Sequence, residues 1–210
     1  MATTTEAPFS RARLDAALAG VGAIPHGDLF AELAAAYDEP TRHYHTRHHI
    51  AACLRDLARW HEQAERPNEI ALALWFHDAV YDTHRDDNEA RSADWAARYL
   101  AVARAPRDAI GRIDAMIRAT ASHVADDPDG GLMQDIDLAI LAAAPGTFAA
   151  YDRAIRAEYA WIPEARYRQR RRQVLASILE RATIYRTAPL RERYERRARG
   201  NLKGLIEKLS

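Results

Sequence analysis

At 210 residues, 48% apolar and 29% charged with no net charge, the chain has the balance of a globular protein long enough to bury a substantial core. No stretch approaches the roughly 18 consecutive apolar residues of a membrane span, so a membrane role is not expected. The lone Cys53 excludes an internal disulfide framework and suits a reducing compartment, which makes the cytoplasm the expected location.

Residues 1–8 lack the basic and apolar regions of a signal peptide and read as a disordered tail. From residue 9 onward the pattern is helical. Ala, Leu, Arg and Glu dominate, and no alternating Val/Ile/Thr run marks a strand. Breakers at Gly20, Pro25-His26-Gly27, Pro40, Pro67, Pro106, the stretch 127–131, Pro145-Gly146, Pro163 and Pro189 delimit ten predicted helices. These are 9–19, 27–37, 46–64, 68–81, 88–103, 107–123, 132–143, 147–160, 164–185 and 189–208. No linker is long enough to divide them, so the expectation is an all-α single domain over 9–210.

Residues 43–49, before and at the start of the third helix, hold four of the nine histidines. With the helix starting near Thr46, His49 shares a face with Cys53, Leu57 and Trp60 and points inward. His48 shares its face with Arg55 and Arg59 and points to solvent. His45 precedes His49 by about 6 Å along the axis, where a proton donor can face a ligand held at the helix entrance. His43 reads as a surface residue.

The fourth helix carries the most informative pair, His77-Asp78, inside the apolar run from Ile70 to Tyr81. A carboxylate in such surroundings costs several kcal/mol unless paired or metal-bound, of order 20 kcal/mol in the idealised limit. One reading is a buried His–Asp hydrogen bond or a salt bridge to an arginine. The other is a divalent metal, since an imidazole nitrogen beside a carboxylate oxygen suits Mn, Fe, Co, Ni or Zn, with Mg also admissible. In the seventh helix Asp137 has Met133, Ile140 and Leu141 at helical spacing, whereas the neighbours of Asp135 are less apolar. A metal held by His49, His77, Asp78 and Asp137 would keep positions open for water and substrate. The C-terminal third is basic: residues 165–210 hold 14 Lys/Arg against 4 Asp/Glu, and residues 1–164 hold 16 against 26. Solvated helix faces or packing against acidic surface are the preferred reading, and a nucleic-acid partner is disfavoured.

Four segments, Tyr44-His45-x-x-x-His49-Ile50, Trp75-Phe76-His77-Asp78-Ala79-Val80-Tyr81-Asp82, Asn88-Glu89-x-x-Ser92-Ala93 and Asp135-x-Asp137-Leu138-Ala139-Ile140-Leu141, occur in that order. Together with Ile155-Arg156-x-Glu158-Tyr159 and Ala198-Arg199-x-Asn201-Leu202 they resemble a bacterial subgroup of HD-superfamily metal-dependent phosphohydrolases, over roughly residues 28–206. The resemblance implies an all-helical HD-type fold with its metal-site core near 28–185. It also implies the ligand set His49, His77, Asp78 and Asp137, with His45 as general acid. The expected activity is hydrolysis of a phosphate ester by metal-activated water, on a small phosphorylated substrate with nucleotides among the candidates. Asp82 and Glu89 are candidates to orient water or a second ion, His123 to reach the site, and Arg156 and Arg171 to contact phosphate. Asp82 and Glu89 read equally well as solvated acids, and each of the two arginines as a helix-surface residue or a partner for Glu158. Two rivals stand beside this reading: a catalytically silent metal- or nucleotide-binding sensor, and a di-iron HD oxygenase, which needs more well-spaced histidines than the chain supplies. The sequence does not fix the oligomeric state.

Overall fold

A computed structural model describes residues 7–125 and 127–209, so most of the stretch read as a tail lies outside the described residues. Among these the chain forms ten α-helices and two short 3₁₀ helices, with no strand. The all-α expectation holds. The helices are α1 (Arg11–Gly20), α2 (Leu29–Tyr37), α3 (Arg47–Arg59), α4 (Pro67–Phe76), α5 (Asn88–Val102), α6 (Arg107–Ala119), α7 (Pro128–Asp137), α8 (Pro145–Glu158), α9 (Glu164–Leu179) and α10 (Ala188–Lys208). The chain divides into two compact units, Met1–Met133 and Gln134–Ser210, with the division inside α7. Among the described residues no helix is long and apolar enough to cross a membrane.

In the first unit α4 is the central element. Ile70, Leu72, Ala73, Leu74, Trp75 and Phe76 are fully buried, as expected of a helix that is apolar on all sides. It packs against α1, α3, α5 and α6. Its start is fixed by Pro67 in the first turn and by Asp129, whose carboxylate accepts the backbone N–H of Glu65 and Arg66 at 2.8 and 3.0 Å. The bidentate pair of Arg112 with Glu69, both contacts 2.7 Å, ties α6 to α4. Side-chain caps at Ser10, Asp28 and Thr46 start α1, α2 and α3.

In the second unit α10 packs against α9 and against the 3₁₀ turn Leu138–Ala142 that continues α7. The segment after α9 is held by carboxylates. Glu195 accepts the N–H of Ile184 and Tyr185, and Asp135 accepts those of Arg186 and Thr187 at 2.8 and 2.6 Å.

Several helix ends differ from the periodicity by a turn or more, and each of these has a local cause. The third predicted helix stops at Arg59 because the chain must turn into the Asp129-held start of α4. The sixth stops at Ala119, where the Thr120 hydroxyl donates to the Ile117 carbonyl, and His123 adopts a left-handed φ of 50°. The seventh begins at Pro128, a turn earlier than expected. Asp127 caps it through the Gly130 N–H at 2.9 Å, and a Cβ on Gly130 would lie 2.7 Å from that same carboxylate and 2.9 Å from Ala125. Glycine there serves the cap and does not break the helix. The ninth ends at Leu179, whose carbonyl accepts from Arg199 at 2.8 Å.

Candidate metal centre

The fourth predicted helix also ends early, at Phe76, so His77 and Asp78 leave the helix end instead of lying within it. The reason is a set of side chains that take the carbonyls a longer helix would use. His77 Nδ1 donates to the Leu74 carbonyl at 3.0 Å, and the Tyr37 hydroxyl donates to that of Trp75 at 2.9 Å. Arg42 donates through Nη1 to the Asp78 carbonyl at 2.5 Å and through Nη2 to that of Ala79 at 3.0 Å. The following loop is pinned to α5: Ser92 Oγ accepts the Val80 N–H at 3.0 Å, and Asn88 exchanges two hydrogen bonds with the backbone of Asp82.

Because the Leu74 carbonyl only accepts, His77 Nδ1 carries a proton, and Nε2 is the nitrogen that faces the cluster, free to hold a second proton beside Asp78 or to give its lone pair to an ion. That nitrogen lies 3.3 Å from His49 Nε2 and 3.0 Å from Asp78 Oδ2, and His49 Nε2 lies 3.4 Å from the same oxygen. Three donor atoms on one buried triangle, with edges of 3.0–3.4 Å, match one face of an ion with bonds of about 2.0–2.2 Å. His49 and His77 are buried, and the Asp78 side chain keeps 16% of its surface exposed. Burial by itself would raise the Asp78 carboxyl. The charges of His77 and His45 and hydrogen bonds from His49 and His77 outweigh it and hold the group well below the ordinary carboxylate range. The inward setting expected of His49 is found, with Cys53 Sγ 3.8 Å from its ring nitrogens, and His48 is exposed as expected.

His45 stands at the entrance of α3, half-buried, its ring packed on Tyr81 at 4.2 Å between centroids and 5.8 Å from that of His49. Asp82 does not join the cluster. Its exposed carboxylate accepts the backbone N–H and ring nitrogen of His84, which lowers its pKa. Glu89 is half-buried in the first turn of α5, and His123 lies four residues past α6.

In the second unit Asp135 is the more buried of the two α7 acids, 1% exposed, while Asp137 is half-buried at the last helical position. The ranking read from their neighbours is thus reversed, because the 184–187 segment covers Asp135 and engages both its oxygens. Burial nevertheless dominates and raises the Asp135 carboxyl. Arg156 donates to Glu164 and to the carbonyls of Tyr159 and Ile162, and lies over the Tyr167 ring. Arg171 is half-buried over Tyr151 with its Nε 3.4 Å from Asp152. Both guanidinium groups therefore hold partners of their own within this unit.

Arg42 is the component the sequence reading missed. It stands in a Pro-containing connection, Glu39-Pro40-Thr41-Arg42, where no helical period marks an inward face. The only signal was its place three residues before His45.

These features define an all-helical protein with a buried His-His-Asp group able to hold a metal ion. No family model, curated protein or solved structure matches the chain.

Proposed function

We propose that the protein is a metal-dependent phosphohydrolase of the HD type, cleaving a phosphate ester of a small molecule, with nucleotides among the candidates. The observation that carries this reading is the triangle of His49 Nε2, His77 Nε2 and Asp78 Oδ2, three ligand-type atoms within 3.4 Å of one another. The order of the motifs, with His45 four residues before His49, supports catalysis over silent binding. A divalent ion held there would supply Lewis acidity toward a phosphoryl oxygen and an activated water.

In this reading His49, His77 and Asp78 are ligands, and Asp137 is the fourth by its place in the motif order. The Nδ1–H bond of His77 to Leu74 keeps its other nitrogen directed at the group. The low carboxyl pKa of Asp78 keeps it anionic across the physiological range. His45, when protonated, donates to the leaving oxygen, a contribution of about 10²–10⁴-fold.

Elemental analysis of purified protein, then a screen of phosphomonoesters, cyclic nucleotides and nucleoside triphosphates with Mn, Co, Ni and Mg, tests the proposal. Stoichiometric metal with turnover of at least one ester class is expected, and both are expected to vanish in Asp78→Ala. Full metal occupancy in that variant would sink the ligand assignment. Metal binding without turnover would move the reading to a sensor, and obligate iron with oxygen consumption to an oxygenase.

A further inference from the structure

We propose that Arg42 is a positioning residue that locks the segment carrying His45 to the segment carrying Asp78. What that lock serves rests on the reading of the site given above. The guanidinium is buried, its side chain 1% exposed, and its donors are distributed over two separate stretches of chain. Nη1 donates to the carbonyl of His45 at 3.3 Å and to that of Asp78 at 2.5 Å, and Nη2 donates to that of Ala79 at 3.0 Å. Nε donates to the half-exposed Glu39 carboxylate at 3.0 Å.

Two aromatic rings also take the charge over their faces. Arg42 lies 5.2 Å from the Tyr37 ring centroid and 5.5 Å from that of Tyr81. Tyr81 in turn carries the His45 ring at 4.2 Å. The contacts close a circuit: guanidinium to His45 backbone, His45 ring to Tyr81 ring, Tyr81 ring back to guanidinium, and guanidinium to Asp78 backbone. Ending a helix needs nothing so elaborate, since a glycine in the left-handed region suffices. Burying a cation is costly even with a counter-ion. A planar fork that reaches three carbonyls at once is what arginine offers and lysine, a point charge, does not. The arrangement therefore sets the distance from the proton donor to the ligand carboxylate, and ends α4 as a consequence.

The test compares Arg42→Met, Arg42→Lys and, as a surface control, Arg59→Met on α3, whose side chain is 57% exposed. Two readouts are taken once circular dichroism shows that helix content is kept. The first, on metal-free protein, is the NMR signal of the His45 ring, which the Tyr81 ring shields. The second is cobalt(II) affinity by titration. In both Arg42 variants the His45 signals are expected to move toward those of a solvent-exposed histidine. Cobalt affinity is expected to fall by about 10-fold or more, the size seen when groups behind a ligand are removed. Arg59→Met should change neither. If Arg42→Met does not fold, Arg42→Lys decides by the same signals. Unmoved His45 signals in a folded Arg42 variant would overturn the proposal. Failure of the wild type to take up cobalt would instead refute the metal reading and leave the NMR result to judge Arg42.

Discussion

Asp78 combines burial with a strongly favoured charge, and that combination has a pH signature. Its carboxyl is raised by desolvation and lowered further by His77, His45 and His49, so the folded value lies below the unfolded one. A lowered acid contributes stability that is complete above the unfolded pKa of about 3.9 and is lost as the pH falls through the folded value. Metal-free wild type should therefore resist urea better than Asp78→Asn at pH 5, and the two midpoints should converge as the pH is lowered beyond the unfolded value toward the folded one. His45 makes a different prediction because it stands outside the triangle. His45→Ala should keep its metal, lose about 10²–10⁴-fold in kcat on an alkyl phosphate ester, and lose much less on a nitrophenyl ester, whose leaving group needs little protonation. Equal losses on both esters would make His45 structural. The exposed His48 is the control. The residues facing inward on α3 and the His-Asp pair were legible because periodicity and chain order both constrain them. Arg42 was not, since its role depends on two segments that become neighbours only after folding.

At the scale of the elements, ten helices were legible in order because proline and glycine bound nearly all of them. Their ends were less so, because side chains distant in sequence decide them: Arg42 at α4 and Arg199 at α9. The same cause reversed the two acids of α7. Counting apolar neighbours at helical spacing finds the faces of an isolated helix, and it does not see the 184–187 segment laid over Asp135. The two acids should accordingly separate on substitution. Asp135→Asn leaves one of two backbone N–H groups without its acceptor, so a loss of about 1–3 kcal/mol in urea unfolding is expected, with metal content unchanged. Asp137→Asn should do the opposite and lower metal affinity with little change in stability. A larger metal loss at Asp135 would move the ligand assignment by two residues.

Over the whole molecule the zero net charge conceals an even division. The unit Met1–Met133 holds 14 arginines against 21 acids, and Gln134–Ser210 holds 16 basic residues against 9 acids. Opposite charges of equal size give an isoelectric point near 7.1. A protein without net charge at its working pH has little repulsion to keep its copies apart. Light scattering at low salt should therefore show the most self-association near pH 7 and less at pH 5.5 or 8.5. A minimum of scattering at neutral pH would contradict this. The sequence revealed the asymmetry but offered no linker to mark the boundary, because the division falls within a continuous helix, α7.

The complete burial of α4 from Leu72 to Phe76 also sets a clock. The His77 amide is bonded to the Ala73 carbonyl at 2.9 Å, at the end of a helix with no edge from which to fray into water. Deuterium can reach the amides of Leu74 to His77 only when the first unit opens as a whole, so they should be among the last in the chain to exchange. The platform beneath the site is thus as durable as the fold of the first unit itself.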